Sequence, residues 1–407
     1  MTPRGASIRI DWGLFLLTVV GAQGYFKFIP VADQAARQIG LALAGAILVI
    51  LVLREPSRAI NALLTRPLVL FMAAWLLAAA LISPRPSSSL FAAFVLIMMV
   101  AYLSNRQETT EVTLQTFTLA SSVSLVPSIV GIVTPLGLTV GYGGSARGFA
   151  GYFPFNSWAG FCAGVVVVSI AVLYVGGRFV WWHLPAFAGA LFVLVQSKSA
   201  TATVACVAGV SAAVWIATWS RTSVRIRPLI VVGLGIVVSS AIAFSNISLL
   251  PAVAEATGRD EKFTNRTVIW QQSLEAIRES PYIGYGSGYW RTNYYWTSAQ
   301  NGFLDVGLTA GVPVALALVV IVILAGWRLV RASSPLLPLW VFGVVVNLSV
   351  SQISSPTVVS LALWLAIASS AHTAVSATAR EGTAVASDAN DISEETSRRR
   401  TGTPRTV

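Results

Sequence analysis

Ser157-Trp-Ala-Gly-Phe-Cys-Ala-Gly-Val-Val-Val-Val-Ser-Ile-Ala-Val-Leu-Tyr-Val175 contains no Asp, Glu, Lys, Arg or His. About 20 mostly apolar residues is the length of a helix across the hydrocarbon core of a bilayer. In lipid, only a helix or a closed barrel satisfies every backbone polar group internally. Similar stretches recur near residues 11–30, 39–53, 67–83, 88–104, 112–135, 179–196, 200–219, 228–250, 301–325, 335–353 and 356–376. The expected fold class is therefore an all-α integral membrane protein with about 12 transmembrane helices. The first stretch is the weakest, because Gln23 and Lys27 interrupt it. It lacks a small-residue cleavage site, so it reads as a retained span rather than a signal peptide.

Composition agrees. Of 407 residues, 55% are hydrophobic and 11% are charged, and the mean hydropathy is +0.74. A soluble domain carries roughly 25% charged residues. The net charge of +11 does not indicate nucleic acid as a partner, because Lys and Arg stand singly between apolar runs. There they orient membrane segments. Cys162 and Cys206 both lie inside apolar runs, which excludes a disulfide framework and zinc-type spacing. His183 and His372 are too far apart for a metal site. No metal or cofactor is expected.

Placing the N-terminus inside puts Arg54, Arg58, Arg66, Arg106, Arg178, Arg328 and Arg331 on the cytoplasmic side. The short outer connections hold only Lys27, Arg37, Arg85, Arg147 and Lys198. This asymmetry predicts cytoplasmic N- and C-termini and an even number of spans. The expected organisation is nine spans over 1–250, an extracytoplasmic loop over 251–300, three spans over 301–376 and a disordered cytoplasmic tail over 377–407. The loop is rich in Tyr and Trp, which is not a disordered composition, and it is expected to fold onto the membrane domain.

Arg147, Lys198 and Arg266 lie at outer span ends or on the outer loop. Burying such cations is costly unless they meet an anion. Converging, they would suit a pyrophosphate, because arginine binds phosphate oxygens bidentately and lysine acts as a point charge. Alternatively they are unrelated interfacial residues that snorkel to water. Within 265–279, Ile269, Trp270, Ser273, Leu274 and Ile277 recur at helical spacing, and Asn265 is the expected N-cap. Arg266 then stands at a helix N-terminus, which favours anions. Pro281 ends that helix. Gly284, Gly286 and Gly288 permit a tight turn, and no preceding strand supports a nucleotide-binding reading. Tyr289, Trp290, Tyr294 and Trp296 could stack on sugar rings or form an interfacial aromatic belt.

Arg266-Thr-Val-Ile-Trp270, Ser280-Pro-Tyr-Ile-Gly-Tyr-Gly-Ser-Gly288, and Ser298-Ala-Gln-Asn-Gly-Phe-Leu-Asp305 with Gly311 together resemble the O-antigen ligase family, in the branch of the exopolysaccharide-production polymerases. Upstream, Arg147-Gly148 with Pro154 and Asn156 resembles the family's arginine loop, and Ser197-Lys198 its Ser-Arg/Lys motif. The resemblance implies a GT-C-like membrane glycosyltransferase of the bacterial cytoplasmic membrane, needing no metal and active on the extracytoplasmic side. It implies an undecaprenyl-diphosphate-linked glycan as donor, a glycan or lipid acceptor hydroxyl, and arginines that hold the lipid diphosphate. The family usually has His where this chain has Gln300. A neutral amide can position a hydroxyl but cannot take its proton. Three explanations stand open: departure of the leaving group needs little base, Asp305, Glu275 or Glu279 substitutes, or the protein is an inactive scaffold relative. A transporter or flippase of lipid-linked sugars is the alternative from another class. Against it stands the near absence of midplane ionisable groups.

Overall fold

The computed structural model describes residues 9–22, 33–83, 86–106, 108–134, 138–142, 145–151, 156–219, 266–287, 289, 298–353 and 357–370. In chain order the elements are α1 (Trp12–Ala22), α2 (Asp33–Arg54), α3 (Pro56–Leu64), α4 (Pro67–Ile82), α5 (Pro86–Asn105), α6 (Thr110–Val133), β1 (Leu138–Tyr142), β2 (Ser145–Gly151), α7 (Asn156–Val175), α8 (His183–Ser197) and α9 (Ala200–Trp219). Then come α10 (Arg266–Glu279), α11 (Gly302–Ala310), α12 (Val312–Arg331), α13 (Leu337–Asn347) and α14 (Val358–Ser370). Among the described residues, four helices are long and apolar enough to cross a membrane: Thr110–Val133, Ser157–Val175, Ala200–Thr218 and Val312–Arg331. A fifth follows if Ile39–Arg54 and Pro56–Leu64, bent by 96°, form one span. Six further apolar helices have 10–17 residues. The expected span 228–250 and the tail 377–407 lie outside the described residues.

Three local expectations change. The stretch 301–325 is not one span: it breaks at Gly311, whose φ is +86°, into the short α11 and the long α12. The connection after residue 54 is not a plain loop but contains α3. The segment 138–151, expected on the outer side, forms a two-stranded antiparallel hairpin, with Tyr142 paired to Ser145 across the turn. The architecture is therefore helical with one small hairpin rather than wholly α.

α7 is the centre. From Ala159 to Leu173 almost every side chain is buried, as expected of a helix that is apolar all round. α6, α8, α9 and α13 pack on it. Small residues allow close approach where hydrophobic burial between lipid-embedded helices offers little drive. A Cβ on Gly164 would stand 2.6 Å from the Phe342 ring of α13. α6 carries many hydroxyls, and several turn back on their own helix: Thr118 Oγ1 donates to Leu114 O at 2.7 Å and Ser124 Oγ to Ala120 O at 2.7 Å. Those polar groups are thus satisfied without water.

The two ends of the bundle differ in charge. At one end the N-terminus of α1 meets the C-terminus of α5, where Arg106 binds Asp11 at 2.8 Å and Thr113 at 3.1 Å. The same end holds Arg178 paired with Glu111 at 3.2 Å, Arg58 paired with Glu55 at 2.9 Å, Arg66, Arg328 and Arg331. The opposite end gathers the C-termini of α1, α4, α8 and α13 with the N-termini of α5, α9 and α12. There Ser83 and Ser89 lie 3.1 Å apart, and Gly160 faces Ser197, Ser199 and Ala202. The hairpin packs on α6, α7 and α8.

Candidate active site

α10 docks through Ile269, Ser273, Ala276 and Ile277, all buried. These positions follow i, i+4, i+7, i+8, one helical face. Leu274, expected in that stripe, is 46% exposed, because i+5 turns it off the narrow face that meets α11. Ala299 and Leu308 complete this small core, and Tyr285, Tyr289, Leu304 and Val312 pack around it. The expected cap, Asn265, lies outside the described residues.

The glycines after α10 make a turn that closes on α11. Gly284 and Gly286 have φ of +69° and +79°. Tyr285 N–H donates to Leu308 O at 2.8 Å, and Gly286 N–H to Thr309 O at 3.0 Å. Carbonyls left without helical partners by the break at Gly311 are satisfied in this way. Val312 N–H donates to Pro281 O at 2.7 Å. The turn is then fastened to the bundle: Ser287 N–H donates to Ser89 Oγ at 2.8 Å, and Trp75 Nε1 to Tyr282 O at 2.9 Å.

Gln300 and Asp305 lie on this unit. Gln300 is half-buried in the left-handed region at φ +53°, with its Nε2 3.5 Å from Ser298 Oγ. Asn301 caps α11, its Oδ1 accepting from Phe303 N at 3.0 Å and Leu304 N at 3.1 Å. Its Nδ2 donates to Leu348 O at 3.0 Å, tying the loop to the end of α13. Asp305, in the first turn of α11, accepts the Ala299 N–H at 3.3 Å. Burial pushes its carboxyl up to about 6, and the Ala299 hydrogen bond opposes that shift. Asp305 is thus bonded to the residue immediately before Gln300. Among the described side chains Asp305 has no ion pair. Those of Arg147 and Arg266 are not among them.

Lys198 is exposed at the C-cap of α8 in the left-handed conformation, φ +47°. Ser199 follows it, buried, and caps α9 by accepting from Ala202 N at 3.4 Å. Arg147 lies on β2 and Arg266 is the first residue of α10. Tyr289 stacks on Tyr285 with centroids 4.4 Å apart, so one face of its ring is already covered. Tyr285 is held in turn by Glu279, at 2.9 Å from its hydroxyl. Trp290, Tyr294 and Trp296 lie outside the described residues.

Contacts connect the Lys198 corner to the Gln300 loop across one end of the bundle. Gly160 abuts Ser197 and Ser199. Two residues either side of it, Trp158 and Cys162 line a pocket of about 240 Å³, its open mouth included, together with Phe161, Gln352 and Thr357. Gln352 N–H donates to Asn347 Oδ1 at 3.1 Å, and Asn347 faces Gly302, two residues after Gln300. Sequence reading does not find Asn347 or Gln352, because buried amides inside apolar stretches carry no local signal. Asn301 does carry one, an Asn just before a helical run.

Residues 185–319 match the family model described as O-antigen ligase. The exopolysaccharide production protein ExoQ of Rhizobium meliloti (strain 1021) is 31% identical over 152 residues, which is 35% of this chain and 34% of that protein. The chain therefore spans about a third of the length of the curated relative it matches. The family match takes in Lys198, Arg266, Gln300 and Asp305 and leaves out Arg147. Over residues 185–319, the chain is similar to the O-antigen ligase family, and over 152 residues it is similar to an exopolysaccharide production protein.

Proposed function

We propose that the protein is a membrane glycan polymerase or ligase. It moves a glycan from undecaprenyl diphosphate to an acceptor hydroxyl on the extracytoplasmic side of the bacterial cytoplasmic membrane. The observation that carries this reading is backbone strain at the residues the chemistry needs. Among the described residues three non-glycines have positive φ, and Lys198 and Gln300 are two of them. Such conformations persist only where the surrounding structure holds them, and they cluster at functional sites. The concentration of arginines at the other end of the bundle supports the orientation, with that end cytoplasmic.

In this reaction the acceptor oxygen attacks the anomeric carbon of the donor. The bond from that carbon to the diphosphate oxygen breaks, and undecaprenyl diphosphate departs with the electron pair. Arg147, Lys198 and Arg266 offset the charge building on the diphosphate, a task for fixed cations in a partly dry site. Gln300 orients the acceptor hydroxyl. Asp305, in its ionised form, takes the proton. A carboxyl titrating near 6 suits a base working near neutrality.

The test is the purified full chain in proteoliposomes with a lipid-linked oligosaccharide donor. Lengthened or transferred glycan with release of undecaprenyl diphosphate is the expected result. Translocation without a new glycosidic bond would make it a flippase instead. Transfer should fall as pH drops through about 6, where Asp305 gains its proton. Stability should run the other way. A carboxyl held above its ordinary 3.8 stabilises the fold below that value, and the gain is lost as pH rises through about 6. Asp305→Asn should remove both dependences, and an unchanged acid limb of the rate profile would assign the base elsewhere. Gln300→His should keep or raise activity. A folded but dead Gln300→His variant would show that this position works differently from the family's usual histidine.

Lys198→Gly separates charge from conformation. Glycine adopts the left-handed C-cap freely, so the variant keeps the backbone conformation at this position and should still lose transfer. Retained transfer would show that the lysine charge is not used.

A further inference from the structure

The arginine-rich end of the bundle carries a feature that the transfer reaction does not use. α3 leaves α2 at 96°, across the direction of the span rather than along it. Ile60 and Leu64, one turn apart, are 55% and 57% exposed and share a face. On the inward side Ala59 is buried and Leu63 packs on the core. Arg58 is exposed and bridged to Glu55. An exposed apolar stripe beside charge, on a helix crossing the bundle axis, is the pattern of a helix lying in the bilayer interface. Trp327 marks the same level on α12: it is 53% exposed, with the Arg331 guanidinium 5.7 Å from its ring.

Directly after α3, Arg66 is half-buried with only neutral partners. Its Nη1 donates to Ser104 Oγ at 2.6 Å and its Nη2 to Ala368 O at 3.4 Å. Burial disfavours the charge of Arg66, and Arg328, exposed on the last turn of α12, which packs against α4, disfavours it further. Among the described residues neither arginine has a carboxylate partner. Two cations held together beside lipid repel one another unless an anion sits with them. The ligand chemistry is therefore a phosphate, and the exposed apolar face of α3 beside it calls for acyl chains on the same molecule.

We propose that Arg66 and Arg328 hold the phosphate of an anionic phospholipid in the leaflet at this end, with its acyl chains against Ile60 and Leu64 of α3. The lipid then neutralises the arginine pair and clamps α3, α4 and α12 together. This site stands apart from the transfer reaction and does not depend on it.

The detergent-solubilised full chain, titrated with phosphatidylglycerol and separately with phosphatidylcholine of the same acyl chains, tests the proposal by its melting temperature. Phosphatidylglycerol should raise it in a saturable way, and phosphatidylcholine should not. Arg66→Gln with Arg328→Gln should weaken the half-saturating concentration about 30-fold, the factor for two basic contacts at a lipid surface. Should the double variant fail to fold, Arg328→Gln alone serves. The Arg328 side chain makes no hydrogen bond or ion pair among the described residues, and its loss should weaken binding about five-fold. Ile60→Gln with Leu64→Gln should also weaken the lipid effect while leaving sensitivity to salt. Equal stabilisation by both lipids, an unchanged titration in the arginine variants, or the full shift with inorganic phosphate alone would overturn it.

Discussion

Arg266→Ala is expected to abolish glycan transfer, by at least about 100-fold, the usual loss on removing one group that stabilises developing charge. The protein should remain inserted and as stable as the parent. Arg266 is the first residue of α10, so its side chain starts where backbone N–H groups lack helical partners and the end of the helix is positive. Charge from the side chain and from the helix end would then act on the same anion. The buried face of α10 is Ile269, Ser273, Ala276 and Ile277, further along the helix. The expected loss is therefore catalytic. Normal polymer in cells that carry only the alanine variant, at wild-type membrane levels, would remove Arg266 from the site.

Gly311→Ala should unseat the whole unit formed by α10, its glycine turn and α11. At φ +86° an L-residue is strained by about 1–3 kcal/mol. The added methyl would also run into the backbone carbonyl of Tyr282. That segment cannot simply give way. Pro281 O accepts from Val312 N, Trp75 Nε1 donates to Tyr282 O, and Ser287 N donates to Ser89 Oγ. Moving it breaks several of these bonds together and carries α10 with it. The expected outcome is faster proteolysis between α10 and α12 and loss of transfer, with α6, α7 and α9 still inserted. A melting temperature and protease pattern equal to those of the parent would show that the turn tolerates the methyl and that the Gly311 break is not held rigidly.

How much of this was legible depended on range along the chain. α7 could be read directly, because an uninterrupted apolar stretch of span length admits one interpretation in lipid. α10 could be read from its period, although the face is set by what α11 presents, and Leu274 fell off it. The break at Gly311 left no mark in hydropathy, since Leu308-Thr-Ala-Gly-Val312 is apolar on both sides. Only the Gly311-Val-Pro313 punctuation hinted at it. α3 was hidden by its shortness and by the arginines around it, which read equally well as a cytoplasmic connection. The hairpin was hidden by Gly143 and Gly144, which signal a turn without saying that strands flank it. At the site, residue types and order were visible, whereas proximity was not. That Asp305 reaches the Ala299 N–H beside Gln300 follows from Asn301 capping α11 and folding the loop back. That the Lys198 corner is connected to the Gln300 loop by contacts depends on amides at Asn347 and Gln352, far away in the chain.

The central claim is that Arg147, Lys198 and Arg266 grip a diphosphate, and direct binding tests it best. The purified full chain should bind undecaprenyl diphosphate more tightly than undecaprenyl monophosphate. Each of Arg147→Gln, Lys198→Gln and Arg266→Gln should weaken the diphosphate complex by about 10-fold or more, as expected for losing one charge-assisted contact of about 1.5–3 kcal/mol. Equal affinity for the two lipids, or diphosphate binding unmoved by all three substitutions, would contradict the account.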